Sequence, residues 1–460
     1  MKELEDTIAA VATPLGTGGI GVVRVSGARA WEIGCALGRL PLDGVEARRL
    51  YVRRLRSKEG EVLDEGVLAF FKGPESYTGE DVVEISCHGG RLVVRRVLEE
   101  VIRMGARMAE RGEFTRRAFM HGKMDLTQVE GVEAIIGARS ESGLRAGLGL
   151  YEGRLGRRLR EIRRELVRFA SLLELELDFA DEDVEFASRQ ELLGTVEGVL
   201  DELERAKRSY RKGRRLVEGV RTVIVGPPNV GKSSLMNALL EEERALVTEV
   251  PGTTRDTVEE GVEIGGLLFR LVDTAGLRET ADRVEILGID RAWREIGRAD
   301  VVLLVVDGSA ENEGCTVPGI VRSVKEAGAD GILVVNKKDR GVGEWTRRIA
   351  EDWPRVEVSA LRGEGLEELE KRLVEVALGR EEESGSTESE WLVTTARQYE
   401  ALVRAAEALE RAKETLERGL SAEFTAFELR EALDAMGEVT GEVTTDEILE
   451  RIFENFCVGK

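Results

Sequence analysis

The chain has 460 residues, enough for about three domains, and its formal net charge of −21 means that RNA must bind at local basic patches. The four cysteines lack metal-binding spacing and only two histidines are present, which fits a reducing cytosol and disfavours histidine-based metal sites and triads. No apolar run approaches the ~18 residues of a membrane span and no signal peptide opens the sequence, so we expect a cytoplasmic protein without a membrane span.

Residues 1–121 predict an α+β domain. The strands are predicted over Ile8–Thr13, Gly21–Val25, Val67–Phe71 and Val82–Ser86, with a helix over about Arg91–Met104. The glycine-rich stretch Gly16–Gly21 is interpreted as a loop, because no long helix follows it as a dinucleotide fingerprint would require. Nothing in this spacing identifies a ligand.

Residues 122–216 and 379–460 predict a helical domain in two parts, with a nucleotide domain, residues 217–378, inserted between them. In the first part, apolar residues recur at intervals of three and four and predict the packing seam of a helical bundle. They are Leu155, Leu159, Ile162, Leu166, Phe169, Leu173 and Leu177. The seam of the second part comprises Leu402, Ala405, Leu409, Ala412 and Leu416. The Gly/Ser/Glu-rich residues Gly379–Glu390 are interpreted as a linker.

Two basic runs lie in the first helical part, one over Arg154–Arg168 and one over Arg205–Arg215. Each is either a solvated helix face or a contact to an RNA backbone. The sequence leaves both alternatives open.

A phosphate-binding loop lies at the start of the inserted domain. Residues Gly226–Ser234 read Gly-Pro-Pro-Asn-Val-Gly-Lys-Ser-Ser and follow the predicted strand Thr222–Val225. A helix is predicted from Ser234 to Leu240, so backbone N–H groups and a helix N-terminus face an anion. Lys232 is predicted to reach the β- and γ-phosphates, and the hydroxyl of Ser233 to bind Mg²⁺.

Further motifs follow predicted strands in the order that a guanine-nucleotide hydrolase requires. These strands are predicted over Leu267–Val272, Val301–Asp307, Ile332–Val335 and Val356–Val358. Asp273-Thr274-Ala275-Gly276 suits Mg²⁺ and the γ-phosphate, and Asp339 can accept hydrogen bonds from guanine N1 and N2, which adenine cannot supply. The residues expected to contact GTP are Asn229, Val230, Gly231, Lys232, Ser233, Ser234, Thr248, Thr253, Thr254, Asp273, Thr274, Ala275, Gly276, Asn336, Lys337, Asp339, Ser359, Ala360 and Leu361.

The residue that orients the attacking water is expected to differ from that of Ras-like enzymes. Leu277 stands where those enzymes place a water-orienting Gln, so another residue must act. Asn229 and the segment 248–256 offer oxygen ligands for a monovalent cation beside the phosphates, although Asn229 could equally be a loop-stabilising amide. Near the end of the sequence, Cys457 is either a buried thiol or a reactive thiolate delivered to another domain.

The whole chain resembles the MnmE (TrmE) family of tRNA uridine-modification GTPases. The resemblance covers all three domains and is highly specific. It is carried by Asp6-Thr7-Ile8-Ala9, Ala12-Thr13-Pro14, Gly18-Gly19-Ile20-Gly21, Tyr77-Thr78-Gly79-Glu80-Asp81, His88-Gly89-Gly90, Arg111-Gly112-Glu113-Phe114-Thr115, the insertion of the nucleotide domain, and the Phe-Cys-x-Gly-Lys terminus.

The resemblance implies a multidomain α/β protein with an N-terminal folate-binding-like domain, a helical bundle domain and an inserted Ras-like P-loop GTPase domain. It also implies ligand sets. Folate would contact Arg24, Glu84, Lys123 and Lys460. Potassium would be bound by Asn229, Thr248, Val250 and Thr253, and magnesium by Ser233 and Thr254. Lys232 and the water-orienting Glu285 would be catalytic, and Cys457 matches the family's cysteine.

The implied activity is potassium-activated GTP hydrolysis in tRNA modification. A homodimer formed through the N-terminal domain would join the FAD- and NADH-using partner MnmG in a heterotetramer. The complex would add an aminomethyl-type or carboxymethylaminomethyl group to C5 of the wobble uridine, using 5,10-methylene-tetrahydrofolate or a formyl-tetrahydrofolate analogue. The alternatives are a GTP-switched ribosome-assembly factor and a GTP-gated scaffold without a substrate site.

Overall fold

The fold is taken from a computed structural model, in which two compact units are described. Unit 1 comprises residues 1–133, 151–188 and 415–460, and unit 2 comprises residues 134–150 and 189–414. The structure describes residues 6–14, 16–178, 189–242, 259–273, 293–311, 316–379, 391–454 and 456–460.

The helices and strands are numbered in chain order. The strands are β1 (Ile8–Val11), β2 (Ile20–Ser26), β3 (Leu50–Arg56), β4 (Val62–Phe71), β5 (Val82–His88), β6 (Arg107–Met108), β7 (Val220–Val225), β8 (Glu259–Ile264), β9 (Leu267–Asp273), β10 (Val301–Asp307), β11 (Asp330–Asn336) and β12 (Arg355–Glu357). The helices are α1 (Ala30–Gly38), α2 (Arg91–Arg103), α3 (Glu113–Met120), α4 (Leu126–Gly137), α5 (Glu141–Tyr151), α6 (Arg154–Asp178), α7 (Arg189–Glu218), α8 (Lys232–Glu242), α9 (Val317–Ala327), α10 (Leu366–Leu378), α11 (Ala396–Glu417), α12 (Ala422–Thr440) and α13 (Asp446–Phe453).

Unit 1 contains a mixed sheet with the strand order β3-β4-β5-β2-β1-β6, in which only β1 and β6 pair in parallel. Apolar residues alternate along the central strands, so one face forms a core with α1 and α2 that includes Val23, Val25, Val83 and Ile85. The opposite face carries residues of the other parity. The α+β prediction for this part of the chain is confirmed, and β3 is an addition that the sequence analysis did not predict.

The end of the chain packs against the N-terminal part of unit 1. Phe453 and Phe456 are buried with Leu126 and Val129 in one apolar cluster. Val458 then forms an antiparallel bridge to Arg111, two residues before α3 begins. The C-terminal tail therefore packs against the N-terminal part of the chain, although the two are more than 300 residues apart in the sequence.

Unit 2 contains a six-stranded sheet with the order β12-β11-β10-β7-β9-β8. All neighbouring strands are parallel except the β8–β9 hairpin. The central strands are apolar on both faces, as expected for a parallel sheet covered by helices, and residues of β10 point into two separate cores. The predicted strands at 222–225, 267–272, 301–307 and 332–335 are confirmed, and the strand predicted at 356–358 forms as Arg355–Glu357.

At the C-terminal end of the second basic run, Arg215 is buried and belongs to neither a solvated face nor a surface for RNA. Arg215 donates to the carbonyl of Ala377 at 2.8 Å and pairs with Asp330 at 2.9 Å. Arg214 pairs with the buried Asp300. These arginines attach α7 to the sheet of unit 2.

Arginines of the first run also form ion pairs within their own unit. Arg160 pairs with Asp125 at 2.8 Å, and Arg163 pairs with Glu442 at 2.5 Å. These side chains hold α6 to its neighbours, which leaves fewer cations for RNA than the sequence suggested. Within the part of the chain that the structure covers, every helix is too short or too polar to cross a membrane.

Replacing Arg215 with Ala should destabilise unit 2, because the Ala377 carbonyl loses its buried donor and Asp330 is left with the more exposed Arg211. Breaking a buried ion pair costs about 3–5 kcal/mol, so the thermal unfolding midpoint should fall by on the order of 10 °C. The matched control is Arg208→Ala, since Arg208 lies exposed on the same helix. Calorimetry that shows equal midpoints for the two variants would contradict this role.

Candidate functional site

The predicted phosphate loop joins the end of β7 to the start of α8. Gly226 has φ of +147°, and a Cβ there would lie 2.1 Å from the carbonyl of Val305 on β10. Gly231 has φ of +96°, and a Cβ there would lie 2.3 Å from the side-chain nitrogen of Asn336. Only glycine fits at these two positions, and a loop with this curvature can turn backbone N–H groups toward phosphate oxygens.

Lys232 lies at the first residue of α8 with its ammonium group over the loop. Its Nζ donates to the carbonyls of Gly226 at 3.0 Å and Pro227 at 2.9 Å. Ser233 and Ser234 are exposed on the first turn of the helix. A hydroxyl at the positive end of a helix beside a phosphate loop fits the oxygen ligand that Mg²⁺ prefers.

Asn336, at the end of β11, joins the phosphate loop to the predicted base pocket. This side chain is buried, its Nδ2 donates to the carbonyl of Val230 at 2.8 Å, and its Oδ1 accepts from the N–H of Ala360 at 3.0 Å. Because one amide binds both loops, the distance between phosphate and base positions is set by the protein.

Asp339 is held ready to accept hydrogen bonds from a base. The hydroxyl of Ser359 donates to its Oδ1 at 2.7 Å, and this bond holds the pKa of Asp339 below its usual value. The carboxylate is therefore ionised at neutral pH and can accept two N–H donors, as guanine recognition requires. Leu361, two residues after Ser359, is 83% exposed.

Lys337 connects the phosphate loop to β10. Its Nζ donates to the carbonyl of Asn229 at 2.8 Å and to Asp307 at 2.6 Å. Asn229 is exposed and has φ of +61°. The side chain of Asn229 is thus presented at the surface of the loop, which is compatible with binding a cation.

Asp307 was missed by the sequence analysis. The parallel pairing of β10 with β11, which sets Asp307 directly opposite Asn336, is the signal that could have identified it.

Several predicted site residues lie outside the described residues. Asp273 ends β9, but its side chain is not among the described groups. The others are Thr248, Val250, Thr253, Thr254, Thr274, Ala275, Gly276 and Glu285.

A second cluster lies in unit 1, on the face of the sheet opposite its core. Antiparallel pairing of β2 with β5 sets Arg24 opposite Glu84, and the two side chains form an ion pair of 2.8 Å. The guanidinium group of Arg24 also lies over the rings of Tyr77 at 5.2 Å and Phe114 at 5.7 Å. Neither aromatic residue was predicted, because a sequence does not show which ring lies beneath a distant arginine.

The tail completes this cluster. Arg24 donates to the carbonyl of Gly459 at 3.5 Å. Burial lowers the pKa of Lys460, the nearby charge of Arg24 adds to this, and Glu84 opposes it. Three of the four predicted folate residues, Arg24, Glu84 and Lys460, are therefore brought together.

Lys123 and Cys457 are both exposed to solvent, unlike the partly buried Arg24 and Lys460. Lys123 is exposed and donates to the carbonyl of Pro74 at 2.9 Å, in the same turn that carries Tyr77. Cys457 is an exposed free thiol, so the interpretation of a buried thiol is wrong. Exposure keeps the reactive alternative open.

Comparison with known proteins gives matches along the whole chain. A family model described as the MnmE helical domain matches residues 126–457, and one described as the GTP-binding protein TrmE N-terminus matches residues 7–123. The chain is 44% identical over 471 residues to the tRNA modification GTPase MnmE of Chlorobium chlorochromatii, which covers 99% of this chain and 98% of that protein. MnmE of Moorella thermoacetica is 43% identical over 474 residues, covering 99% and 100% of the two chains. The expected fold class, with a TrmE-type N-terminal domain, a helical domain and a P-loop G domain, is confirmed.

Replacing Asp339 with Asn should exchange guanine selectivity for xanthine selectivity. An amide cannot accept both guanine N–H donors but can donate to the 2-oxo group of xanthine, so GDP affinity should fall by at least ~100-fold. Titration of the protein with GDP and with xanthosine diphosphate measures both affinities. Asp352→Asn, on the surface of the same unit, is the control, and an unchanged GDP affinity in Asp339→Asn would exclude the proposed base contact.

Proposed function

The chain belongs to the MnmE family of tRNA modification GTPases, and from that premise we propose that it is a potassium-activated enzyme that works on the wobble uridine. It is a GTP hydrolase. With an FAD-dependent partner of the MnmG kind, it would install an aminomethyl-type or carboxymethylaminomethyl group at C5 of the wobble uridine of certain tRNAs. The one-carbon unit would come from a tetrahydrofolate. The observation that carries the proposal is that one chain combines the guanine-type loop set held by Asn336 with the Arg24–Glu84–Lys460 cluster.

The GTP site supports hydrolysis by positioning and charge. Lys232 would leave the loop carbonyls for the β- and γ-phosphates, and the ionised Asp339 would select guanine. Mg²⁺ held by Ser233 and Thr254, and K⁺ held by Asn229, Thr248, Val250 and Thr253, would supply positive charge beside the phosphates. We propose Glu285 as the residue that orients water.

The second cluster supports folate binding, with one change in the role of Arg24. The side chain of Arg24 is only 13% exposed and already pairs with Glu84, so it would orient Glu84 toward the donors of the pterin rather than meet a carboxylate in solvent. Lys460 and the exposed Lys123 carry the ammonium groups that suit the carboxylates of the folate. The donor and acceptor types present therefore fit a reduced folate.

The proposed assembly is a homodimer through the N-terminal domain, joined by the FAD-dependent partner in a heterotetramer that binds tRNA in the cytoplasm. Because arginines of both basic runs are engaged in ion pairs within their own units, contact to tRNA would fall on the remaining exposed cations or on the partner. A ribosome-assembly factor would need the GTP site alone, and the Arg24–Glu84–Lys460 cluster is the feature that favours the enzyme.

Hydrolysis should be faster in KCl than in NaCl by at least ~10-fold, since a cation in the position of an arginine finger stabilises charge in the transition state. Asn229→Ala should reduce the rate in KCl to near that in NaCl. The control is Asn237→Ala, because Asn237 is exposed on α8 away from the loop. Phosphate-release assays in KCl and in NaCl measure the rates of hydrolysis. Equal rates for the wild-type protein in the two salts would contradict the assignment of a potassium site.

Deleting the gene should abolish C5-aminomethyl-type wobble uridines, as read by mass analysis of nucleosides from bulk tRNA. Complementation with Glu285→Ala should not restore them, because loss of a water-orienting acid should slow hydrolysis by roughly 10²–10⁴-fold while GTP binding remains. An unchanged nucleoside profile in the deletion strain would favour the assembly-factor alternative. Restoration by Glu285→Ala would favour a GTP-gated scaffold.

A further inference from the structure

Arg117 on α3 is a charged side chain in the interior of unit 1. Its side chain is 1% exposed, and its guanidinium group donates to Glu80 at 3.0 Å, to Glu113 at 3.0 Å and to the carbonyl of Asp6 at 2.9 Å. A further bond of 2.5 Å reaches the carboxylate of Asp6. One buried cation therefore joins the N-terminal segment, the turn before β5 and α3.

Such a cluster is not explained by stability alone. A buried ion pair that is replaced by well-packed apolar residues is often no less stable, because the desolvation of the charges offsets their attraction. What the cluster does fix is geometry, since a planar guanidinium group must meet each carboxylate along a defined direction. The segments that Arg117 joins are the ones that build the surroundings of Arg24.

The first of these is the turn that carries Tyr77. Glu80 ends this turn and also accepts a hydrogen bond from Ser26, the last residue of β2, at 2.7 Å. The hydroxyl of Tyr77 bonds to Thr115 on α3 at 2.8 Å. Two residues of α3 therefore hold Tyr77 in place: Thr115 bonds its hydroxyl, and Arg117 holds the turn that carries its backbone.

The second is the tail. The N–H of Gly112 donates to the carbonyl of Cys457 at 3.4 Å, and the N–H of Phe114 donates to the carbonyl of Lys460 at 3.2 Å. Arg24 itself is fixed by strand pairing. Among the described residues, the tail is tied to this part by the bridge at Val458, and the turn is tied to the end of β2 by the bonds of Ser26 to Thr78 and Glu80. Because α3 binds the turn through Thr115 and Arg117 and the tail through its first N–H groups, its orientation affects how both parts meet Arg24.

We propose that Arg117 is a positioning residue for the reduced-folate site: it orients α3 so that Tyr77, Phe114 and the tail assemble around the Arg24–Glu84 pair. This inference rests on the proposed folate function. Arg117 is not among the residues expected to contact the ligand, and it acts through carboxylates that include those of Glu80, Glu113 and Asp6.

The test compares Arg117→Gln with Arg107→Gln. Arg107 also pairs with Asp6 and Glu113, at 2.6 Å for Glu113, but does not contact the turn at Glu80. Affinity for 5-formyl-tetrahydrofolate should fall roughly 10–100-fold in Arg117→Gln and stay within about 3-fold of wild type in Arg107→Gln. Amide exchange of residues 74–80 and 456–460 should accelerate in Arg117→Gln alone, with GTP hydrolysis unchanged.

Where Arg117→Gln does not fold, Glu80→Gln replaces it, because it removes the turn-side carboxylate and leaves the bonds to Asp6 and Glu113. It should show the same pattern with a smaller loss of affinity. Equal weakening in Arg107→Gln, or unaltered binding and exchange in Arg117→Gln or in Glu80→Gln, would overturn the proposal. Failure of wild-type protein to bind the folate would instead refute the proposed folate function, and the exchange data would still report whether Arg117 holds the turn and the tail.

Discussion

Parallel strand pairing is the constraint on which the nucleotide site depends. Because β7, β10 and β11 run in parallel and in register, their carboxyl ends meet at one edge, and Asp307 lies directly opposite Asn336. The loops that follow these strands converge there without any further device. Asn336 then uses both ends of one amide to set the spacing of the phosphate loop and the base pocket.

In unit 1, antiparallel strand pairing brings the residues of the second cluster together. It sets Arg24 opposite Glu84 on the sheet face that the helices of the core leave uncovered. Strand pairing places the two ends of the turn around Tyr77, which joins β4 to β5, but it does not by itself orient the Tyr77 ring or place the tail. Those parts are recruited through α3, whose first N–H groups bind the tail and whose buried Arg117 binds the turn.

Arginine serves as an internal connector in both units. Arg215 attaches α7 to the sheet through Asp330 and the Ala377 carbonyl, and Arg117 joins three segments of the N-terminal part. The planar guanidinium group offers several donors in fixed directions, so a single side chain can hold several elements at once. This use accounts for part of an arginine content that would otherwise suggest nucleic-acid binding in a chain of net charge −21.

The sequence by itself determined the parts whose signal is local. The phosphate loop, Asp339 and the apolar strands of unit 2 are visible because glycine positions, strand periodicity and loop chemistry depend on near neighbours in the chain. Tertiary structure alone decided that Arg214 and Arg215 are internal anchors, that Cys457 is exposed, and that Tyr77 and Phe114 lie beneath Arg24. Each of these depends on contacts between residues far apart in sequence, and a charged or aromatic side chain carries no local mark of the partner that folding brings to it.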